Sequence, residues 1–200
     1  MSIGLIVVIV VLAILVISLI IYNFSIYKKV KGLSNTHEKI ANLRVLQDFM
    51  DTIGKDTSAE SKIKIINDIL IEKYNIKYST IVVFNGAEYI LKASNVDERL
   101  WESMTNLHTN ALFQDSIANA RPKYVTVNSV NEKLTYQDGE MNRAKSAMFF
   151  PLYIDNIYIG YWIIESDIPH AFDSMDTGIL EVIRENIISV LKTISYQNTI

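Results

Sequence analysis

The sequence predicts an α+β domain in which an antiparallel sheet carries helices on both faces, preceded by one transmembrane helix and a helical linker. Three observations predict this class: an uncharged apolar N-terminus, a change from helical to strand periodicity near Tyr78, and a hairpin, Ser146 to Glu165, whose strands are apolar on both faces. We place the anchor at residues 1–27, the linker at 28–56 and the domain at 57–196.

The N-terminal segment has the length and composition of a membrane span. Residues 1–27 contain no charged side chain, and Ile3 to Ile21 is almost entirely aliphatic. A helix of this length rises about 28 Å, close to the hydrocarbon thickness of about 30 Å. A cleaved signal peptide would need a basic start and a small-residue cleavage site, and the segment has neither.

The charges that follow the span predict its orientation. Lys28, Lys29 and Lys31 come directly after it, and basic residues mark the cytoplasmic side of a span. We therefore predict a single-pass protein of the inner (cytoplasmic) membrane, with the N-terminus outside and the C-terminal domain in the cytoplasm. Tyr22 and Tyr27 are suited to the membrane interface.

The rest of the chain is mildly acidic and excludes several functions. It contains all 19 basic and all 22 acidic side chains, for a net charge of −3. Its one basic cluster adjoins the membrane, so we predict no nucleic-acid binding. The chain has no cysteine, which excludes disulfides, thiolate nucleophiles and cysteine-ligated metals.

The linker is predicted to be helical, with an imperfect heptad pattern. Gln47 occupies one of the core positions. The pattern therefore leaves open a short parallel dimer contact or a solvated linker. The apolar residues near the a and d positions are Leu33, Ile40, Leu43 and Met50.

Helix and strand signals then alternate along the domain. Thr57 and Glu60 form a capping-box pattern that opens a helix ending near Asn75. Asn85-Gly86 predicts a two-residue hairpin turn. The polar stretch 128–143 is predicted to be a long loop. The predicted strands are Tyr78 to Phe84, Glu88 to Ala93 and Lys123 to Val127, and the predicted helices are Glu98 to Leu107 and Ala111 to Ala120.

The hairpin from Ser146 to Glu165 is the most informative segment. Strands apolar on both faces lie centrally in a sheet, covered by helices on each side. Pro151 lacks a donor and should lie at a bulge or at a vacant bonding position, whereas Gly160 should allow another element to approach closely. After the hairpin, Asp173-x-x-Asp176 predicts the start of a final helix.

These segments together resemble a GAF domain over about residues 41 to 195. The resemblance implies an antiparallel sheet of five or six strands with helices on both faces, a ligand-sized pocket on one side, and dimerisation through the first and last helices. The residues that carry it are Arg121-Pro122, Ser146, Pro151-Leu152, the predicted turn at Asp155-Asn156, and Gly160.

The activities of that family transfer less readily than its fold. Its members bind cyclic nucleotides, bilins, haem or small metabolites, or have no known ligand. The bilin-attaching forms and the GAF-like methionine sulfoxide reductases use a cysteine, which this chain lacks. Asn131-Glu132-Lys133 differs from the signature of the family members that bind cyclic nucleotides. The sequence therefore predicts neither a particular cofactor nor a particular ligand. The three histidines have no metal-ligand spacing, and we predict no metal site.

A ligand pocket would be lined by aromatic and apolar side chains with a few polar groups. The alternative is that all the candidates except His108 and Tyr136 are ordinary core residues. No nucleophile elbow or phosphate-binding glycine loop occurs, so we predict no catalytic residues and no enzyme activity. The candidate pocket residues are Trp101, His108, Phe113, Tyr136, Ser146 and Met148.

Two functions remain as expectations. The helical pattern still runs at Gln197, which in architectures of this kind leads into a diguanylate cyclase or histidine kinase module. The first expectation is therefore a bacterial sensory module, dimeric through helices Lys39 to Asp51 and Leu180 to Ile194, that binds a small molecule or relays a signal. The second is a membrane-tethered adaptor with a vestigial pocket.

Overall fold

The computed structural model describes residues 16, 19, 20, 22, 43–52, 54, 55, 57–74, 76–137, 144–175 and 177–197. The chain divides into two compact units, Met1–Arg44 and Val45–Ile200. The described residues of the first unit are helical. Most of the predicted anchor and all of the first half of the linker lie outside the described residues. Within the described part of the chain, no helix is both long enough and apolar enough to cross a membrane.

The second unit is built on a five-stranded antiparallel sheet, as predicted. The strand order is β2-β1-β5-β4-β3, so β2 and β3 form the two edges and β5 lies at the centre. Every neighbouring pair is antiparallel. The strands are β1 (Tyr78–Phe84), β2 (Tyr89–Ser94), β3 (Lys123–Thr126), β4 (Ser146–Ile154) and β5 (Ile157–Ser166).

Helices cover both faces of this sheet. They are α1 (Ala59–Tyr74), α2 (Trp101–Thr105), α3 (Ala111–Ala118) and α4 (Thr177–Gln197), with 3-10 turns at Glu98–Leu100 and Leu107–Thr109. The first core lies where α1, α4 and the helical residues 45–52 pack on one face of the sheet, and it includes Phe49, Ile66, Phe150, Trp162 and Ile187. The second core lies on the other face, beneath α2 and α3, and it includes Met104, Phe113, Phe149, Tyr161 and Ile163.

The central hairpin confirms two roles read from the sequence. Asp155 and Asn156 form a two-residue turn with φ of +51° and +65°, the type I′ geometry that matches strand twist. Gly160 has φ of +148°, and a Cβ there would lie 2.1 Å from the Val82 carbonyl oxygen of β1. A neighbouring strand therefore approaches this glycine as predicted. The pairing of β3 with β4 ends at Phe149, so none of the described strands pairs with the outer edge of β4 at Pro151.

The first hairpin differs from its prediction. Its loop contains four residues, 85–88, instead of the two-residue turn at Asn85-Gly86. The Asn85 side chain is the cause, because its Oδ1 accepts hydrogen bonds from the backbone nitrogens of Ala87 at 2.9 Å and Glu88 at 3.0 Å. These bonds hold the wider loop closed.

Three of the predicted helices also have different bounds in the structure. Ser58, instead of Thr57, caps α1, since its Oγ accepts a hydrogen bond from Ser61 N at 3.2 Å. The predicted helix Glu98 to Leu107 is divided into a 3-10 turn and the short α2. The predicted helix Ala111 to Ala120 ends at Ala118, because Ala120 adopts a left-handed φ of +51° before Arg121-Pro122.

Candidate functional site

An aromatic stack fills the sheet face beneath α2 and α3. The rings of Phe113 and Phe149 stack at 4.4 Å, and the ring of Phe149 stacks on that of Tyr161 at 4.9 Å. Tyr161 donates a hydrogen bond to the Met104 carbonyl of α2. These side chains are almost wholly buried, so the space directly above β4 and β5 is a packed core.

An open groove lies above this core, between α2 and α3, and we call it the α2–α3 groove. Its volume is about 950 Å³, at the upper end of the usual range for ligand sites. The 97–111 segment supplies most of its lining, and Tyr136 forms part of its floor. Many of the groups that line it are polar, including Asp97, Glu102, Ser103, Asn106 and Asn110. The groove can therefore offer both hydrogen-bond donors and acceptors to a small polar molecule.

An ion pair stands at one side of the groove. Arg99 Nε lies 2.9 Å from Asp97 Oδ1, and Arg99 N also donates to that oxygen at 3.0 Å. These hydrogen bonds lower the pKa of the Asp97 carboxyl below its usual value. The bond from the Arg99 side chain has the larger effect, and the bond from the Arg99 backbone has the next largest. Asp97 therefore presents a carboxylate at neutral pH, already oriented by its partner.

Tyr136 joins the groove to a buried carboxylate on the central strand. Its hydroxyl donates to Glu165 Oε1 at 2.6 Å, and Gln137 Nε2 reaches the same oxygen at 3.3 Å. Glu165 has no exposed surface. The Gln137 Oε1 in turn accepts a hydrogen bond from Ala144 N at 3.3 Å. A buried carboxylate requires such donors, so this network fixes the 134–137 turn onto β5.

Glu165 is a site residue that the sequence did not indicate. The one signal available was its position, a single acid at the end of the apolar run Tyr161 to Ile164. An acid that continues a buried strand needs a partner, but nothing in the sequence shows which one. Tyr136 lies 29 positions away along the chain.

The structure brings together two of the six predicted pocket residues. The rings of Phe113 and Tyr136 lie 5.2 Å apart on the groove side of the sheet. His108 lies nearby but stacks on Tyr89 at 3.8 Å, with its Nδ1 2.9 Å from the Thr105 carbonyl oxygen. Trp101 lines a different groove along β2, and its Nε1 donates to the Val96 carbonyl oxygen at 3.1 Å.

The other two predicted residues are separated from this group. Met148 packs in the first core, under α1 and α4, because side chains alternate along a strand and its neighbour Phe149 faces the groove side. Ser146 is fully buried, and its Oγ donates to the Ile168 carbonyl oxygen at 2.8 Å. It fastens the chain that follows β5. Neither residue lines the α2–α3 groove.

Tyr158 on β5 carries an unsatisfied hydroxyl. Tyr158 lies between Tyr89 and Tyr153, with ring centroids 6.2 and 5.5 Å away. Its hydroxyl oxygen is buried and has no hydrogen-bond partner in the described part of the chain. Burial raises the pKa of this phenol above its usual value. An orphan hydroxyl of this kind costs stability.

The architecture is a 2-1-5-4-3 antiparallel sheet between two helical layers with a groove on one side, and comparison with solved structures specifies this α+β fold. The GAF domain of a Coxiella burnetii phosphoenolpyruvate-protein phosphotransferase covers 80% of this chain and 98% of its own, with a TM-score of 0.64 at 11% identity. The GAF domain of a protein assigned as a sensor histidine kinase in Pseudomonas syringae pv. tomato covers 84% and 96%, with a TM-score of 0.60 at 13% identity. The chain therefore has the GAF fold.

The same fold also occurs in an enzyme. Free methionine-R-sulfoxide reductase from Neisseria meningitidis, solved with its substrate, covers 74% of this chain and 86% of its own, with a TM-score of 0.54 at 13% identity. No protein-family model matches the chain, and no curated protein matches its sequence. At these identities the likeness defines the fold and leaves the activity open.

Proposed function

We propose that this chain is a membrane-anchored sensory and regulatory module. In this proposal residues 1–27 anchor it in the inner membrane, 28–56 link the anchor to the domain, and 57–196 form a cytoplasmic GAF domain. The domain binds a small polar ligand in the α2–α3 groove, or relays a signal through its terminal helices to a following diguanylate cyclase or histidine kinase. The observation that carries the proposal is the link from the groove through Tyr136 to Glu165 on the central strand.

This link gives a route from the groove to the terminal helix. Glu165 and its neighbour Ile164 lie on opposite faces of β5, and Ile164 packs in the first core with Ile183 and Ile187 of α4. A ligand that moves Tyr136 therefore acts on a strand that supports α4. Coupling of this kind requires that the ligand bind one arrangement of the helices more tightly than another.

Dimerisation through the terminal helices forms part of the proposal. Met50 is 61% exposed and Val182 of α4 is 43% exposed, which leaves apolar surface on both segments. Val45 and Phe49, by contrast, are buried in the first core and hold residues 45–52 against the domain. The exposed residues are thus available to a second copy.

We propose a regulatory role, without catalysis, for this GAF fold. The chain contains no cysteine, and the resemblance implies that the related reductases depend on one. The charged groups at the α2–α3 groove, such as the Asp97–Arg99 pair, suit recognition of a polar ligand.

A second candidate function is an adaptor with a vestigial pocket. The observation that favours it is the aromatic stack of Phe113, Phe149 and Tyr161, which fills the space beneath the groove with side chains. In that case the domain recruits a partner through its surface, and no ligand enters.

Mass spectrometry of the full chain, purified in a neutral detergent, separates the two candidates. Native spectra report the oligomeric state, and denaturing spectra identify any small molecule that is released. Ala111→Trp introduces a bulky side chain into the groove, and Ala118→Trp places the same side chain on the exposed end of α3. The sensory proposal expects a dimer whose ligand is lost in Ala111→Trp and retained in Ala118→Trp. A monomer that releases nothing, alone or with metabolite extract, contradicts it.

A further inference from the structure

Strand β2 forms an open edge of the sheet. No described strand pairs with its outer side, so its outward N–H and C=O groups are available. A groove of about 620 Å³ runs along this edge, with α1 on one side and α2 on the other. We call it the β2 edge groove. Of the lining residues it shares only Glu102 with the α2–α3 groove, and it is lined by Asn67, Asp68, Glu88, Leu91 and Trp101 among others.

The hairpin register shows which main-chain groups face this groove. Asn85 N donates to Glu88 O at 3.0 Å, and the pairing continues without a shift as far as Leu91. Bonded and non-bonded pairs alternate in an antiparallel ladder. The main chain of Ile90 is therefore bonded to β1, whereas the N–H and C=O groups of Tyr89 and Leu91 point away from β1 and into the groove.

The other half of the edge is protected. The register shifts after Leu91, which leaves Lys92 as a bulged residue. Lys92 Nζ lies 3.0 Å from Glu60 Oε1 on α1. Bulges and lysines are the usual means by which proteins block edge pairing. Here both act beyond Leu91, so the open part is the short stretch from Tyr89 to Leu91.

Two further observations indicate what the groove accepts. Asn67 lines it and is only 2% exposed, yet its Oδ1 accepts no hydrogen bond among the described residues. This buried acceptor requires a donor. The rim also carries the carboxylates of Asp68, Glu88 and Glu102, and among the described lining residues Lys64 is the only cation outside the Lys92–Glu60 pair. The occupant should therefore be extended, donor-rich and positively charged.

We propose that a short, basic segment of a partner protein adds to β2 as an extra strand. Its main chain bonds to Tyr89 and Leu91, its lysine or arginine side chains lie near the rim carboxylates, and an apolar side chain packs on Trp101, which is 39% exposed. Main-chain bonds give affinity in this mode of recognition, and the side-chain contacts give specificity. The site works whether or not the α2–α3 groove binds a ligand.

Residue-resolved hydrogen exchange of the full chain in a neutral detergent tests this proposal. The probe is a nine-residue peptide of alternating lysine and valine, and the same peptide methylated at alternate backbone nitrogens is its control. We expect exchange at Tyr89 and Leu91 to slow roughly tenfold or more with the unmodified peptide only. Exchange at Ile90, already bonded to β1, should change much less.

Charge reversal tests the source of specificity. Asp68→Lys combined with Glu88→Lys should weaken binding of the basic peptide roughly tenfold. Asp48→Lys combined with Asp51→Lys makes the same charge change on exposed helical positions away from the groove and should leave binding unchanged.

Three results overturn the proposal. The first is an absence of protection at roughly 1 mM peptide, a concentration at which even weak binding is visible. The second is equal binding of a glutamate–valine peptide. The third is protection of the Tyr89 and Leu91 amides in the free chain, which would mean that a second copy or another part of the chain already occupies the edge. None of these results changes the expected outcome for ligand release from the α2–α3 groove.

Discussion

Replacing Gly160 with alanine should be among the most damaging single changes in the domain. The added Cβ would lie 2.1 Å from the Val82 carbonyl oxygen, whereas ordinary contacts begin at 3.4 Å, so the two atoms must separate by about 1.3 Å. Two further β1 backbone atoms lie 2.9 and 3.0 Å from the same position. Because all three neighbours are backbone atoms, the strand itself must move, and no side chain can rotate to relieve the clash.

The conformation of Gly160 adds a second cost. Its φ of +148° lies in a region that L-residues rarely adopt, which costs about 1–3 kcal/mol by itself. Together with distortion of the β1–β5 ladder, we expect Gly160→Ala to lower the free energy of unfolding by about 3 kcal/mol or more. Urea unfolding of the full chain in detergent, followed by far-ultraviolet circular dichroism, measures this loss.

Two other glycines provide matched controls for the two costs. Gly86 has φ of +101° with open space around it, so Gly86→Ala should show the conformational cost alone, about 1–2 kcal/mol. Gly54 is helical and also has open space, so Gly54→Ala should stabilise by about 0.5–1 kcal/mol. If Gly160→Ala costs no more than Gly86→Ala, the close approach of β1 is not what requires a glycine at position 160.

Two further predictions concern Tyr158 and Tyr161 of β5 and the Asp97–Arg99 ion pair at the α2–α3 groove. Tyr158→Phe removes an orphan hydroxyl and should be neutral or stabilise by about 1 kcal/mol, whereas Tyr161→Phe loses the bond to Met104 and should destabilise by about 1 kcal/mol; similar urea midpoints for the two variants would argue against this assignment. Arg99→Gln should raise the pKa of the Asp97 carboxyl toward its usual value, which carboxyl-carbon NMR titration measures. Since the folded-state pKa of Asp97 is lowered, the small stabilisation from the pair is present at neutral pH and is lost as the pH falls through that pKa; an unchanged titration in Arg99→Gln would disprove the coupling.

The parts of the fold that the sequence predicts well are those set by local chemistry. The turn at Asp155-Asn156 and the close approach at Gly160 follow from residue types whose backbone preferences are narrow. The four-residue loop was not predicted because an Asn-Gly pair is compatible with both a two-residue turn and a wider loop. The hydrogen bonds of the Asn85 side chain favour the wider loop.

The candidate site was predicted less well because its residues depend on which face of each strand lies on the groove side of the sheet. A strand that is apolar on both sides does not show which side meets the ligand groove, so Met148 was grouped with Phe113 although it lies in the opposite core. The contact between Tyr136 and Glu165 joins distant parts of the chain, and only the assembled sheet brings them together.

Strands β4 and β5, which are apolar on both faces, connect the two cores in the proposed sensor. Phe149 lies in the core beneath the α2–α3 groove, and the next residue, Phe150, stacks on Trp162 at 4.6 Å in the core beneath α1 and α4. Packed cores do not absorb a shift gradually, so a displacement of β4 or β5 at the groove must be met by a change on the other face. In the proposed sensor, a ligand that moves the core beneath the α2–α3 groove therefore acts on strands whose other face supports α4.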